Sequence, residues 1–183
     1  MILMLGVAGS GKSTQSRLLA ETGKYRLVFI GEVLRRNVTG QDAIDMQAGK
    51  LLNDQTVIKY LEQEISEIGE GPEVILDGFP RSVYQAEWLF TKHKADEHFN
   101  LNAVIHIDVS KEVVIKRLEL RGRPDDTKEA IAARFEEYDK AIRPIIQDIS
   151  GHGVPIITID GAKNPLEIAT DINEALKNIN KTA

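Results

Sequence analysis

Three glycines, a lysine and a serine near the start of the chain have the spacing that binds a chain of phosphates. Residues 6–13 read Gly-Val-Ala-Gly-Ser-Gly-Lys-Ser, which is the P-loop pattern G-x-x-x-x-G-K-[ST]. Glycines without a Cβ let the backbone curl and aim its N–H groups inward, next to the positive end of the following helix. The ammonium group of Lys12 supplies a point charge, and the Ser13 hydroxyl can ligate Mg²⁺. The predicted phosphate-binding residues are Gly9, Ser10, Gly11, Lys12, Ser13 and Thr14.

An aspartate that ends an apolar run is the second chemical group. Asp77 follows Val74-Ile75-Leu76, so its carboxylate is expected at the end of a buried strand. A carboxylate there can hold a water of the Mg²⁺ shell beside Ser13, as the second acidic element of P-loop enzymes does. The alternative is an ordinary strand-end cap, and Asp108 at the end of a later apolar run has the same two interpretations.

Arginines cluster between residues 117 and 134. Arg117 and Arg121 lie four residues apart on a predicted helix and therefore on one face, Arg123 follows closely, and Arg134 lies on the next helix. Guanidinium groups bind phosphate oxygens bidentately and stay charged. In an acidic chain the cluster favours a polyphosphate clamp; the alternative is surface ion pairs with the neighbouring carboxylates.

Two single arginines and one aromatic residue stand outside this cluster. Taken alone, each of Arg35 and Arg81 is typical of a solvated surface residue. Arg81 is better placed for binding, because it follows the strand end at Asp77, where parallel sheets bind ligands. Phe79 is the aromatic residue singled out for stacking on a base. The other aromatic residues are expected in the core or at its rim, and His93 and His98 are expected in a solvated loop.

Strands alternating with helices must position these groups. Apolar runs predict strands over 1–5, 25–30, 73–77, 103–108 and 155–159. Helical spacing predicts helices over 12–21, 31–38, 40–50, 54–68, 82–92, 110–120, 127–142 and 165–178. Asn53 or Asp54, Ser82 and Ser110 are the predicted N-caps, and Pro144 is expected to kink or restart its helix. This alternation predicts the α/β class, with a parallel sheet covered by helices on both faces and ligands beyond the carboxyl ends of its strands.

Composition indicates the cellular compartment of the protein and limits the classes of binding partner. With 183 residues, 42% of them hydrophobic and 28% charged, we expect one globular domain. A net charge of −5 argues against general nucleic-acid or anionic-membrane binding. The chain has no Cys, which excludes disulfides and Cys-based zinc sites and fits a cytoplasmic setting. We expect no signal peptide and no membrane span, and a monomer, since no heptads or leftover apolar stripe are evident.

Together these motifs resemble the nucleoside monophosphate kinases of the short-lid type, and most of all the adenylate kinases. The P-loop continues as Thr14-Gln15, and two further segments match, Gly31-Glu32-Val33-Leu34-Arg35 and Gly49-Lys50-Leu51-Leu52-Asn53-Asp54. Asp77-Gly78-Phe79-Pro80-Arg81 with Gln85 is highly specific. The match continues through 117–126, Arg134 and Tyr138, and so covers essentially the whole chain.

The resemblance implies a fold and a reaction. The fold would be a P-loop sheet of five parallel strands with a core of 1–30, 61–120 and 127–183, a mobile monophosphate-binding segment at 31–60 and a very short lid at 121–126. The reaction would be the reversible, Mg²⁺-dependent transfer of the ATP γ-phosphoryl group to AMP, giving two ADP. The partners would be ATP and AMP, with Mg²⁺ arriving on ATP and without zinc.

The resemblance also implies a role for each matching residue. The catalytic cations would be Lys12, Arg81, Arg121, Arg123 and Arg134. ATP would be held by the P-loop residues named above together with Arg117, which would stack on the adenine, and Arg121. AMP would be held by Gly31, Arg35, Leu52, Gly78, Arg81, Gln85, Arg123 and Arg134, with Gln85 reading the base through its amide. Ser13 and Asp77 would hold Mg²⁺ through water.

Three features depart from the family pattern. Ile30 stands where adenylate-specific members carry a threonine that touches the base, the lid is shorter than in other short-lid members, and Ser13 replaces a glycine, so that Ser13 or Thr14 can reach Mg²⁺. Ile30 supports an alternative acceptor such as UMP, CMP or another small molecule, whereas Gln85 argues for adenine. The other alternative is a catalytically weak nucleotide-binding regulator, against which the set of clustered cations stands.

Overall fold

Five strands form one parallel sheet in the part of the chain that the computed structural model describes, residues 1–47, 52–69, 71–122 and 127–179. The strands are β1 (Ile2–Leu5), β2 (Tyr25–Phe29), β3 (Glu73–Asp77), β4 (Ala103–Asp108) and β5 (Ile156–Asp160). Their order across the sheet is β2-β3-β1-β4-β5, so β1 is central. The predicted parallel α/β sheet is confirmed, and the P-loop leaves its middle strand.

Helices join the strands and cover the sheet. They are α1 (Lys12–Ala20), α2 (Ile30–Asn37), α3 (Gly40–Gln47), α4 (Asp54–Ile68), α5 (Val83–Ala95), α6 (Lys111–Arg121), α7 (Lys128–Glu137), α8 (Arg143–Ile149) and α9 (Pro165–Ile179). Ser82 and Ser110 accept hydrogen bonds from backbone N–H groups three residues on, as predicted for N-caps. Of the two candidate caps for α4, Asn53 is the one that accepts, from Gln55 N at 2.8 Å.

The two faces of the sheet bury different helices. Leu3 and Leu5 of β1 lie in a cluster with residues of α2, α4, α5 and α8, whereas Ile2 and Met4 lie in a cluster with residues of α1 and α9. Side chains alternate across a strand, so β1, with apolar residues on both sides, is buried on both faces. A third cluster joins Val7 of the P-loop to α6 and α7. Helices therefore cover both faces, as predicted.

The prediction that β2 continues through Ile30 was wrong. β2 pairs with β3 only as far as Phe29, opposite Asp77, where β3 ends. Without a ladder partner the chain turns into α2 at Ile30, and the Ile30 side chain is 2% exposed in the core.

The predicted helix over 127–142 is divided. α7 ends at Glu137, a π-helical turn spans Tyr138–Ile142, and α8 begins at Arg143. Pro144 lies in the first turn of α8 and has no N–H to donate to an earlier carbonyl; the π-helical turn, in which Arg143 N donates to Tyr138 O, directly precedes it. The helix therefore restarts just before Pro144, through a wider turn that the sequence pattern did not predict.

Two side chains differ from their predicted settings. His93 lies in α5 rather than in a loop, and its Nδ1 accepts a hydrogen bond from Leu101 N at 3.0 Å. Phe79 is fully buried, with its ring edge-to-face with Trp88 at 6.0 Å between centroids, so it belongs to the core and cannot stack on a base. His98 is exposed, as predicted, although it lies in a short 3₁₀ turn.

Candidate active site

The P-loop joins β1 to α1, and its glycines bring the loop backbone close to neighbouring elements. Gly6 has φ +146°, and a Cβ built on it would lie 2.7 Å from the carbonyl oxygen of Ile107 in β4. Gly9 has φ +90°, and its Cβ would lie 3.0 Å from the side chains of Val114 and Leu118 in α6. A Cβ at Gly6 would clash with this backbone oxygen, and one at Gly9 would crowd both side chains at a φ that other residues rarely adopt. The close approach of the loop to β4 and α6 therefore favours glycine at both positions.

Lys12 places its ammonium group inside this loop. Its Nζ donates to Val7 O at 3.2 Å, and Ser10 N donates to the same oxygen at 3.1 Å. Burial lowers the pKa of Lys12 from its ordinary value; the Asp77 and Glu137 carboxylates oppose this and the Arg81 guanidinium adds to it. A phosphate chain bound here would supply the negative charge that this partly desolvated cation lacks.

Asp77 stands at the carboxyl end of β3, 3% exposed, beside the first turns of α1. Ser16 Oγ lies 3.2 Å from Asp77 Oδ2 and 3.0 Å from Lys12 O, so its single proton is shared between two acceptors. The Ser13 hydroxyl is exposed in the first turn of α1. A carboxylate and a hydroxyl are the hard oxygen donors that fit Mg²⁺ carried by phosphates.

We predict that Ser16→Ala weakens the use of Mg²⁺ by about tenfold, the lower end of the cost of removing a group that orients a metal-binding residue. Asp77 would lose its hydroxyl donor and take other rotamers. The measurement is the Mg²⁺ concentration that gives half-maximal activity, together with Mn²⁺ binding to the protein–nucleotide complex by electron paramagnetic resonance. Thr91→Ala is the matched control, because Thr91 also donates to a carbonyl one turn earlier but contacts no such carboxylate. Unchanged Mn²⁺ affinity in Ser16→Ala would contradict the prediction.

Arg117 joins three parts of the site. From α6, its Nη1 donates to Ser10 O of the P-loop at 3.2 Å and its Nη2 donates to Lys163 O, in the β5–α9 loop, at 3.4 Å. Gln15 Nε2 donates to Pro165 O at 2.9 Å and holds the same loop against α1. The guanidinium plane of Arg117 therefore lies beside the P-loop, where the predicted adenine of ATP would need it.

The predicted AMP-binding residues gather around the turn after β3. Arg81 is exposed, and its Nε donates to Gly78 O at 3.0 Å. Arg35 is also exposed on α2, and a Cβ built on Gly31 would lie 3.7 Å from its Nη1. Each guanidinium thus lies over a glycine that leaves room for it. Because the Arg81 Nε is used by the protein, its two Nη groups remain available for a phosphate.

Gln85 is 4% exposed, and its amide already has two partners in the protein. Its Oε1 accepts from Arg81 N at 2.7 Å, and its Nε2 donates to Asp54 Oδ1 at 2.7 Å. One N–H and one lone pair of the amide stay unassigned by these two bonds. The reading of an adenine by Gln85 remains a prediction. It would have to use this remaining N–H and this remaining lone pair.

For the remaining predicted residues, the structure gives their burial and position, or they lie outside the described residues. Arg134 lies half-buried on α7, Leu52 packs partly buried against the main core cluster, and Thr14 is exposed in α1. Arg123, the side chain of Arg121 and most of the predicted lid at 121–126 lie outside the described residues. Asp108 is exposed at the end of β4, on the same edge of the sheet as Asp77.

Sequence analysis missed three side chains at this edge of the sheet. Ser16 was not singled out, although it lies one turn after Lys12 on the helix face toward the sheet, and Asp54 was considered only as a cap. His106, a polar residue inside an apolar strand, carried a signal: its Nε2 lies 2.6 Å from the Tyr138 hydroxyl. Burial lowers the pKa of His106, Asp108 opposes that effect and Arg143 adds to it.

Two features are absent from the described residues. Within residues 1–47, 52–69, 71–122 and 127–179, no three His, Asp or Glu side chains group closely enough to hold a metal ion by themselves. In those same ranges no helix has the length and apolar character needed to cross a membrane.

Comparison with known proteins gives concordant matches. A family model described as adenylate kinase matches residues 4–154. The chain is 35% identical over 183 residues to an adenylate kinase of Prochlorococcus marinus strain MIT 9301, covering 96% of this chain and 97% of that protein. It is 33% identical over 180 residues to an adenylate kinase of Corynebacterium urealyticum, 95% of each chain being covered. For an adenylate kinase of Trichodesmium erythraeum the identity is 32% over 180 residues, with 93% of each covered.

Proposed function

Because the chain belongs to the adenylate kinase family, we infer that it reversibly transfers the γ-phosphoryl group of ATP to AMP, giving two ADP. One observation of this molecule carries the inference. Ser16 of α1 contacts both Lys12 O, at 3.0 Å, and the Asp77 carboxylate at the end of β3, at 3.2 Å. Arg81 lies in the turn just after Asp77, with its Nε on Gly78 O at 3.0 Å. A donor-phosphate cation, a metal-binding carboxylate and an acceptor-phosphate cation thus share one edge of the sheet.

The donor side consists of the P-loop and Arg117. The backbone of Gly9, Ser10 and Gly11, with the N–H groups that the loop leaves free, and the side chains of Lys12, Ser13 and Thr14 bind the phosphates of ATP. Arg117 covers the adenine. Its two hydrogen bonds, to Ser10 O and Lys163 O, support this role because they hold the guanidinium plane in place before ATP arrives.

The acceptor side consists of two arginines and a base pocket. Arg35 and Arg81 bind the α-phosphate of AMP, and Gly31, Leu52, Gly78 and Gln85 line the pocket of its base. Arg121, Arg123 and Arg134 neutralise the phosphoryl group in transit. No protein nucleophile is needed, because charge gathers on the phosphoryl oxygens and fixed cations stabilise it.

Ser13 or Thr14 and, through water, Asp77 would hold Mg²⁺ that arrives on ATP. The ion would supply positive charge that offsets the charge of the phosphates. The oxygen ligands present here support this assignment, since Mg²⁺ is usually bound by one or two carboxylates together with substrate phosphates.

Two segments close over the core in this proposal. Residues 31–60 carry AMP, and the lid at 121–126 covers ATP, while 1–30, 61–120 and 127–183 form the core. Closure excludes water that would otherwise accept the phosphoryl group. We take the chain to act as a monomer in the cytoplasm, on small nucleotides and without nucleic acid.

An acceptor panel tests the proposal. The protein is incubated with Mg·ATP and AMP, GMP, CMP, UMP or no acceptor, and nucleotides and inorganic phosphate are quantified. We expect ADP to form only with AMP, two molecules for each ATP consumed. One ADP and one phosphate per ATP without acceptor would mean hydrolysis, and no turnover despite ATP binding would mean a regulator; either result overturns the proposal.

The panel also tests the alternative acceptor. Ile30 has no hydroxyl to offer a base, and a Cβ built on Gly78 would lie 3.0 Å from its Cγ2, so an apolar side chain stands beside the turn that carries Arg81. A preference for CMP or UMP over AMP would make Ile30 the main determinant of base selectivity.

A further inference from the structure

A closed set of hydrogen bonds joins the start of α4 to the start of α5. Asp54, the first residue of α4, accepts from Gln85 Nε2 at 2.7 Å and from Ser82 Oγ at 2.9 Å. The same Ser82 oxygen accepts from Gln85 N at 3.1 Å, and Gln85 Oε1 accepts from Arg81 N at 2.7 Å. The side chain that is expected to read the base is thus held from both ends.

The chemistry of these partners gives the Gln85 amide one orientation. An ionised carboxylate only accepts hydrogen bonds and a backbone N–H only donates them. If the amide turned over, its NH₂ would face the Arg81 N–H and its oxygen would face the Asp54 carboxylate, so both bonds would become repulsions. Donors and acceptors of a buried side chain left without partners are costly, which makes the reversed orientation rare.

Orientation matters because it decides which purine the amide can pair with. The Watson–Crick edge of adenine presents a 6-amino donor beside the N1 acceptor. The edge of hypoxanthine presents a 6-oxo acceptor beside an N1–H donor, which is the reverse order. An amide with one free N–H and one free lone pair can pair with the adenine edge in one of its two orientations. Turned over, it can pair with the hypoxanthine edge instead.

We propose that Asp54 is a positioning residue that sets the selectivity of the acceptor site for a 6-aminopurine over a 6-oxopurine. It acts through Gln85, by holding the amide nitrogen on one side. This inference rests on the proposed function, because it assumes that Gln85 faces the base of the acceptor. It goes further in assigning purine discrimination to a residue of α4 outside the predicted site.

The test compares AMP with IMP, whose bases differ only at this edge. In Asp54→Ala we expect kcat/KM for AMP to fall and the AMP-to-IMP ratio of kcat/KM to fall by about tenfold, because only Arg81 N then orients the amide. Asp54→Asn should keep most of the ratio, since its Oδ1 can still accept from Gln85. The KM for ATP should stay unchanged in both variants.

Two controls separate positioning from loss of structure. Glu112→Ala removes another carboxylate from the first turn of a helix, α6, and should leave the ratio unchanged. In a Gln85→Ala background, Asp54→Ala should have no further effect on the ratio, because the amide that Asp54 orients is gone. Thermal unfolding of each variant confirms that it is folded.

The outcomes distinguish this inference from the proposed function. If the wild-type protein does not phosphorylate AMP, the proposed function fails. If it does and Asp54→Ala lowers AMP and IMP activity equally, or if the effects of Asp54→Ala and Gln85→Ala on the ratio are additive, the positioning role is overturned while the kinase activity stands.

Discussion

Lys12→Met lowers the kcat for ADP formation by about 10³-fold, the order of loss seen when one preorganised group facing a developing negative charge is removed. Methionine keeps the aliphatic stem and removes only the positive charge. The ammonium group lies in the P-loop, bound to Val7 O at 3.2 Å, and the proposed function assigns this loop to the phosphates of ATP. Because charge gathers on the phosphoryl oxygens as the reaction proceeds, the transition state loses more stabilisation than bound ATP does.

The fold should tolerate this substitution. Burial lowers the pKa of Lys12, which means that the folded protein disfavours the charged form relative to water. Removing the charge is therefore expected to leave the midpoint of thermal unfolding unchanged or to raise it. Lys177→Met, at an exposed position on α9, is the control for loss of a lysine. If Lys12→Met kept more than a tenth of the wild-type kcat, the ammonium group would not be the donor-phosphate cation.

Arg81→Ala lowers kcat/KM for AMP by about 10³-fold, with little change in the KM for ATP. Its Nε is held by Gly78 O and its backbone N–H by Gln85 Oε1, so the side chain is held near the turn after β3, where the proposed function places the acceptor phosphate. Arg81→Lys should recover little of the loss, because a lysine has neither the planar fork nor the anchoring Nε.

Initial rates at varied AMP and fixed saturating ATP, and the converse series, measure the two sides separately. Arg26→Ala, an exposed arginine of β2, is the matched control. Equal losses for AMP and ATP would show that Arg81 does not belong to the acceptor side. The two variants therefore test the donor and acceptor roles independently. Lys12→Met is expected to lower mainly kcat, and Arg81→Ala is expected to lower mainly kcat/KM for AMP.

Much of this fold was predicted from the sequence because the signals are local. The P-loop glycines, the apolar runs of β1, β3 and β4, and the caps Asn53, Ser82 and Ser110 depend on contacts within a few residues or on burial of a whole strand. The same locality explains the errors at element ends. Ile30 was assigned to β2 because it is apolar, and only the end of the ladder at Asp77 turns it into α2.

The sequence by itself determined the class of the molecule and indicated which cations can bind phosphate, since residue type and spacing state which groups are able to do so. The tertiary structure alone decided which side chains contact one another. It paired Ser16 with Asp77 and Asp54 with Gln85, laid Arg117 between the P-loop and the β5–α9 loop, and buried Phe79. These contacts join residues far apart in the chain, and a hydrogen bond needs its atoms within about 3 Å. That proximity follows from the strand order and from helix packing, which residue spacing along the chain does not encode.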